Sequence, residues 1–209
     1  MKVIMCYGDS NTWGYNPATG ERFPEDERWT GVLKRELGDG YKIIEAGLNG
    51  RTTVWDDPIE GDKNGKEQLI PFLETNKPLD LVIIMLGTND LKMRFSVPAS
   101  DIADGAGVLV GMVQKSETGV NGSPKVLLIA PPPVSKLTNF AEMFQGAEAK
   151  SKKFSQHYRR VAEERGCDFL DTANVIVSSD LDGIHLEKDE HQKLGKAVAH
   201  AVRDILEPI

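Results

Sequence analysis

The feature that most constrains the fold of this chain is a regular alternation of short apolar segments with longer helical patterns. The short segments are mostly apolar on both faces, which is typical of strands buried inside a parallel sheet. They cover Val3–Tyr7, Lys42–Glu45, Leu81–Leu86, Lys125–Ala130 and Asp168–Leu170. Each helical pattern ends near a Gly, Pro or Asn that can terminate a helix. These patterns cover Trp29–Leu37, Lys66–Thr75, Ala99–Lys115, Ala141–Glu164 and Lys188–Leu206.

This alternation predicts a parallel sheet that is covered by helices on both faces. Because crossovers between parallel strands are right-handed, few topologies remain. A chain of 209 residues is long enough for one well-buried domain and marginal for two, and no change in composition marks a linker. We therefore predict a single domain over residues 1–209, a flavodoxin-like α/β/α sandwich around a five-stranded parallel sheet.

The composition argues against some classes of partner. The formal net charge is -7 and the isoelectric point is near 5.2, whereas binding to nucleic acid normally requires a basic face. No apolar run approaches the roughly 20 residues of a membrane-spanning helix. Val3–Cys6 is also too short for the apolar core of a signal peptide. We therefore expect a cytoplasmic protein that acts on a small molecule and binds neither nucleic acid nor membrane.

Three polar clusters follow predicted strands. Gly8–Gly14 follows the first strand, Gly87–Asp90 follows the third, and Asp182–His185 lies between the fifth strand and the last helix. A parallel sheet brings the carboxyl ends of its strands to one edge, where ligands bind in open α/β folds. The clusters are therefore expected to converge there. The long polar stretches Asn16–Glu27 and Asp56–Gly65 are expected at the same edge.

The first and third clusters contain the residue types of a nucleophilic hydrolase. A serine hydroxyl such as that of Ser10 is a poor nucleophile until a base takes its proton. His185 can supply that base, because an imidazole titrates near neutrality. Asp182 can accept the other ring N–H and fix the tautomer, which would complete a Ser-His-Asp triad.

An acyl-transfer site also needs hydrogen-bond donors for the oxyanion that develops on the carbonyl oxygen. The candidate donors are the backbone N–H groups of Ser10 and Gly50 and the side-chain amide of Asn89. Asp9 and Asp90 are more readily explained as carboxylates that hold their own loops. The other three histidines, His157, His191 and His200, fall on predicted helices and are expected in solvated or core-edge positions.

The chain resembles the SGNH, or GDSL-type, hydrolase family. Ser10, Gly50, Asn89 and His185 fall in the four sequence blocks of that family and in the same order. The chain is also similar to the bacterial arylesterase and acyltransferase branch, and the resemblance spans nearly its whole length. The segments that carry it are Gly8–Gly14, Arg51–Thr53, Asp56–Pro58, Met85–Asp90, Pro131–Pro133 and Asp182–His185. One departure is Asn11, where the namesake motif of the family has leucine.

The resemblance implies a ping-pong mechanism in which Ser10 forms an acyl-enzyme that water or another alcohol resolves. It also implies short acyl groups on aryl, alkyl or sugar alcohols, and a homo-oligomer built from dimers that pack into rings such as octamers. We expect Asn11, Trp13 and Ile184 to contact the substrate. Tyr15 and Trp55 are expected near the rim of the site, in the core or at a subunit interface. No cofactor and no metal are expected.

Three alternatives remain open. Within the esterases, a carbohydrate deacetylase is the main alternative to a general arylesterase. A metal-dependent phosphoesterase would need several histidine and carboxylate ligands, of which only His185 is well placed. A flavodoxin-like binding module would need no base beside Ser10. The chain has no G-x-x-x-x-G-K-[ST] phosphate loop and no G-x-S-x-G nucleophile elbow.

Overall fold

The computed structural model describes residues 1–207. Five strands form one all-parallel sheet in the order β2-β1-β3-β4-β5. The strands are β1 Lys2–Gly8, β2 Tyr41–Gly47, β3 Leu81–Met85, β4 Lys125–Ala130 and β5 Asp168–Asp171. The helices are α1 Ser10–Trp13, α2 Trp29–Leu37, α3 Gly65–Asn76, α4 Ala99–Gln114, α5 Ala147–Ser151, α6 Phe154–Arg165 and α7 Lys188–Leu206. The predicted fold, a single-domain α/β protein with a five-stranded parallel sheet, is confirmed.

Each face of the sheet is covered by its own hydrophobic core. Successive side chains of a strand point to opposite faces, so Met5 and Tyr7 of β1 join one core while Ile4 and Cys6 join the other. Helices α3, α4 and α6 pack on the first face, and α2 and α7 pack on the second. Because β1 and β3 are central and covered on both faces, they hold the residues that follow them in fixed positions.

One predicted helix is wrong. The pattern over Ala141–Glu164 predicted a single helix, but the chain turns through residues 139–146 and then forms α5 and α6 as separate helices. Gly146 lies in the left-handed region at φ 82°, a conformation that favours glycine and interrupts a helix. The non-helical segment before it lies over the edge of the sheet, where Met143 accepts a hydrogen bond from the N–H of Met93.

The strand order places a topological switch between β1 and β3, because the chain continues to one side from β1 and to the other from β3. Ligands in open α/β sheets bind in the crevice at such a point. Ser10 follows β1 and Asn89 follows β3, so both lie at this crevice. Within residues 1–207, no helix is long and apolar enough to cross a membrane.

Candidate active site

The serine lies on a tight turn between β1 and α1. Asp9 caps the helix by accepting a hydrogen bond from the N–H of Asn11 at 3.0 Å, and Gly14 ends it in the left-handed region. Burial raises the pKa of Asp9 to about 6, although the N–H of Asn11 and the charges of His185 and Arg51 oppose the shift. Asp9 thus has the structural role expected from the sequence.

The histidine and the aspartate are held by one short loop. Asp182 Oδ1 accepts hydrogen bonds from the N–H groups of Ile184 at 2.8 Å and His185 at 2.9 Å. Its Oδ2 lies 2.7 Å from His185 Nδ1, and His185 Nε2 lies 2.9 Å from Ser10 Oγ. All three side chains are buried. The structure therefore brings the predicted serine, histidine and aspartate into one hydrogen-bonded chain.

The charge state of Asp182 favours this arrangement. Burial by itself would raise the pKa of the carboxyl group, but the hydrogen bond and charge of His185 outweigh it, together with the two backbone N–H groups. The pKa of Asp182 is therefore lowered. An ionised carboxylate can keep a proton on Nδ1 and leave Nε2 free to accept one from the serine hydroxyl.

Asn11 ties the serine turn to the histidine loop. Its Nδ2 donates to the carbonyl oxygen of Ile184 at 3.3 Å, and its Oδ1 accepts from the N–H of Leu186 at 3.1 Å. The side chain is buried and does not line the cavity beside Ser10. Both ends of the Asn11 amide are therefore occupied by backbone groups on either side of His185.

A cavity of about 150 Å³ opens beside Ser10 and His185. Of the predicted oxyanion and substrate-binding residues, Gly50, Asn89 and Ile184 line it, whereas Trp13 does not. Trp13 lies instead under the guanidinium of Arg22, 5.4 Å from the ring centroid. The remaining lining residues are Tyr15, Asn49, Glu60, Lys92, Phe140, Met143 and Phe144.

Two of the predicted oxyanion donors are fixed by their surroundings. Asn89 Nδ2 donates one hydrogen bond to the carbonyl oxygen of Arg51 at 3.1 Å, which leaves the second hydrogen of the amide. Gly50 adopts φ 82°, and a β-carbon at this position would overlap Oε2 of Glu60. Asp90 supports the same loop, because its carboxylate accepts from the N–H and the hydroxyl of Thr53.

Several lining residues were missed by sequence reasoning. Met143 and Phe144 belong to the segment that was predicted as helix, and Phe140 directly precedes it, so none of the three was expected at the site. Glu60 lies in the polar stretch that was expected to be functional, but no motif singled it out. Lys92 lies two residues after the Asn89 block and is only 3% exposed, which the sequence of a polar loop does not indicate.

The structure also locates the remaining aromatic and histidine residues that the sequence singled out. Tyr15 lies against His185, whereas Trp55 packs on the hydrophobic core. His191 is buried and does not line the cavity, and His200 is exposed on α7. Among residues 1–207, no group of three or more His, Cys, Asp or Glu side chains is arranged to hold a metal ion.

The fold and the site define the class of the protein: a serine hydrolase on a doubly wound, flavodoxin-like sheet, with its serine, histidine and carboxylate at the carboxyl edge. Residues 6–193 match the profile of the GDSL-like Lipase/Acylhydrolase family. The chain belongs to this family, as its sequence blocks predicted, and it is a carboxylic ester hydrolase.

Solved structures of similar proteins agree over the full length. The aryl esterase of M. smegmatis is 43% identical, with a TM-score of 0.95 over 99% of this chain and 100% of that one. Est24, a carbohydrate acetylesterase from Sinorhizobium meliloti, is 41% identical, with a TM-score of 0.95 over 99% and 100%. A carbohydrate acetylesterase family member from Sinorhizobium meliloti is 36% identical, with a TM-score of 0.94 over 99% of both chains. No curated protein matches the chain.

Proposed function

We propose that this protein is a serine esterase that cleaves short acyl esters of aryl, alkyl or sugar alcohols through an acyl-enzyme on Ser10. The observation that carries the proposal is the chain of hydrogen bonds from Asp182 to His185 at 2.7 Å and from His185 to Ser10 at 2.9 Å. These groups line a small cavity together with Gly50 and Asn89. No cofactor or metal takes part in the proposed chemistry.

In the first half-reaction, Ser10 Oγ attacks the carbonyl carbon of the ester while its proton passes to His185 Nε2. The negative charge on the carbonyl oxygen is stabilised by the N–H groups of Ser10 and Gly50 and by the side-chain amide of Asn89. The tetrahedral intermediate then collapses, and the departing alkoxide takes the proton from Nε2. The alcohol leaves and the acyl group stays on Ser10.

In the second half-reaction, water attacks the acyl-enzyme, gives its proton to His185 and releases the acid. Another alcohol can take the place of the water, in which case a new ester forms. Asp182 stabilises the imidazolium in both halves. We propose that such acyl transfer accompanies hydrolysis when an alcohol is abundant.

The size of the cavity supports a short acyl group. About 150 Å³ is well below the roughly 300–1,000 Å³ of pockets that hold drug-sized ligands. Phe140, Met143, Phe144 and Ile184 supply an apolar wall that suits a methyl or ethyl group. The similarity to an aryl esterase and to carbohydrate acetylesterases supports an acetyl-type substrate as well.

The proposal is tested with 4-nitrophenyl acetate, butyrate and octanoate. We expect kcat/KM to fall steeply as the acyl chain lengthens, and Ser10→Ala to remove the activity while the protein stays folded. Added alcohol should convert part of the acid product into a new ester. Equal turnover by Ser10→Ala, or faster turnover of the octanoate, would contradict the proposal.

We further propose that the protein forms a homo-oligomer built from dimers and that it is cytoplasmic. Ile59, Met93 and Met143 are exposed apolar side chains close to one another beside the cavity, and such a patch suits burial against a second subunit. Sedimentation of the purified protein tests the assembly, with an octamer as one larger form. Fractionation of cells tests the location.

A carbohydrate deacetylase is the second candidate within this chemistry. Part of the cavity lining is polar and includes Asn49, Glu60 and Lys92; these three residues are called the polar wall. A polar wall favours an alcohol that carries hydroxyl groups. Comparing kcat/KM for acetylated sugars with that for phenyl acetate distinguishes the two candidates.

A further inference from the structure

We infer that Glu60 determines specificity on the alcohol side of the ester, where its free carboxylate oxygen accepts a hydrogen bond from a hydroxyl group of the departing alcohol. The inference rests on the proposed esterase function and specifies its substrate class: esters of polyhydroxylated alcohols. Nothing in the triad or the oxyanion hole requires a carboxylate at this position.

The first step of the argument is that one oxygen of Glu60 is fixed by two cations. Lys92 Nζ lies 2.5 Å from Glu60 Oε1, and Arg94 donates to the same oxygen at 3.1 Å. Asp57 completes the group, with its carboxylate 3.7 Å from Lys92 and 3.3 Å from Arg94. Two carboxylates and two cations balance in charge. Glu60 is therefore bound through Oε1 by both cations.

The second step is that the other oxygen lies beside Gly50, which lines the site. Oε2 lies against the backbone of Gly50, because a β-carbon on that residue would overlap it. Both hydrogen bonds to this carboxylate go to Oε1, and within residues 1–207 Oε2 accepts none. The side chain of Glu60 is 31% exposed and lines the cavity that contains Ser10 and His185.

The third step is that a second hydrogen-bond acceptor, Asn49, also lines the cavity. Asn49, which precedes Gly50, also lines the cavity, and its buried Oδ1 has no hydrogen-bond partner among the described residues. Lys92, the cation beside Glu60, is buried and already paired. Among residues 1–207, the polar wall therefore offers acceptors and no unpaired cation, which suits hydroxyl donors and disfavours anionic groups.

The chemistry of the ester indicates that these acceptors contact its alcohol portion. A short acyl group such as acetyl has no donor to offer, and the apolar wall of Phe140, Met143 and Ile184 suits its methyl group. Any hydroxyl group of the substrate then belongs to the alcohol portion. A hydrogen bond to a charged acceptor is among the stronger ones in proteins, so its loss should reduce kcat/KM by about tenfold or more.

The test uses two esters of nearly equal size, 2-hydroxyethyl acetate and propyl acetate, which differ by a hydroxyl group in place of a methyl group. We expect the wild-type enzyme to prefer the hydroxylated ester by about tenfold in kcat/KM. In Glu60→Gln this ratio should fall towards one. Glu142→Gln, which removes the same charge from an exposed residue beside the cavity mouth, is the matched control and should keep the wild-type ratio.

A wild-type ratio below about threefold would overturn the inference, and so would a folded Glu60→Gln enzyme that keeps the wild-type ratio. A wild-type ratio below about threefold overturns the inference even if the variant does not fold. If the enzyme cleaves both esters without preference, only the role of Glu60 is lost. If neither ester nor 4-nitrophenyl acetate is cleaved in a Ser10-dependent way, the proposed function fails and this inference with it.

Discussion

The ring of Tyr15 stacks on the imidazole of His185, with the ring centroids 4.1 Å apart and the planes inclined by 32°. Phe140 approaches the same imidazole edge-on, with its centroid 6.1 Å away. The histidine is thus held by aromatic contacts as well as by Asp182. Rotation of the imidazole away from Ser10 would cost these contacts, so the stack keeps Nε2 in place for proton transfer.

Replacement of Tyr15 by leucine should lower kcat for 4-nitrophenyl acetate by about three- to tenfold, since an aromatic pair contributes about 0.5–1.5 kcal/mol beyond its buried area. Tyr15→Phe keeps the ring and should lose much less. Steady-state kinetics of the two variants decide the matter. Equal losses in both would show that the hydroxyl group, and not the stack, is what counts.

Replacement of Asp182 by asparagine should reduce kcat by about 10³- to 10⁴-fold, because the amide favours the wrong tautomer of His185. The N–H groups of Ile184 and His185 can still donate to the amide oxygen, so the loop is expected to keep its shape. Activity measured beside a circular dichroism spectrum tests this. An activity within tenfold of wild type would remove Asp182 from the proposed triad.

Replacement of Asn11 by leucine should lower the free energy of unfolding by about 2 to 4 kcal/mol, because two buried backbone groups lose their hydrogen-bond partners while the side-chain volume is kept. Denaturant titration measures the change. Asn174→Leu, at an exposed position, is the control for the added apolar surface and should change stability by less than about 0.5 kcal/mol. Similar stability of the two variants would contradict the linking role of Asn11.

His191 should make the protein less stable as the pH falls. Burial lowers its pKa to about 3, with smaller contributions from the charges of His185 and Arg28, whereas an unfolded histidine titrates near pH 6.5. Between these values the unfolded chain binds a proton that the folded chain does not. The contribution of His191 to the free energy of unfolding therefore falls by up to about 1.4 kcal/mol per pH unit on acidification.

The variant His191→Gln isolates this effect, because Asp9 and Asp90, whose pKa values are raised to about 6, are present in both proteins. Their contribution has the opposite sign, since a folded state with a raised carboxyl pKa gains stability as the pH falls. Urea unfolding at pH 4 to 7 should show a shallower decline with acidification for the variant. Parallel curves would contradict a buried neutral His191.

The convergence of Ser10, Asn89 and His185 could be predicted because strand ends of a parallel sheet share one edge, and because each residue lies next to a strand or a helix with a clear pattern. The central strands were located to within two residues for the same reason. The sheet order follows from few and well-known topological rules. The strands and helices whose burial gives a periodic sequence pattern could therefore be predicted, together with the residues that directly follow them.

The remainder depends on how loops pack on one another. The segment before Gly146 has an apolar pattern that suits a helix, yet its side chains pack over the site from a turn. Lys92 is buried only because Asp57 and Glu60 from another loop balance its charge. The amide of Asn11 binds backbone groups of the histidine loop, which its place beside Ser10 in the sequence does not indicate. Such pairings between distant loops leave no local signal.

The loop that holds His185 is closed by the carboxylate of Asp182, whereas the hydroxyl group it serves is 175 positions away in the chain. The base is oriented by its immediate neighbours, but it has nothing to act on until the two ends of the chain have docked across the sheet. Ester hydrolysis therefore reports whether the segments that carry Ser10 and His185 have assembled into one fold. If the chain is divided at the exposed turn around Asn121, each fragment alone should be inactive. Ester hydrolysis should return only when the two fragments reassociate.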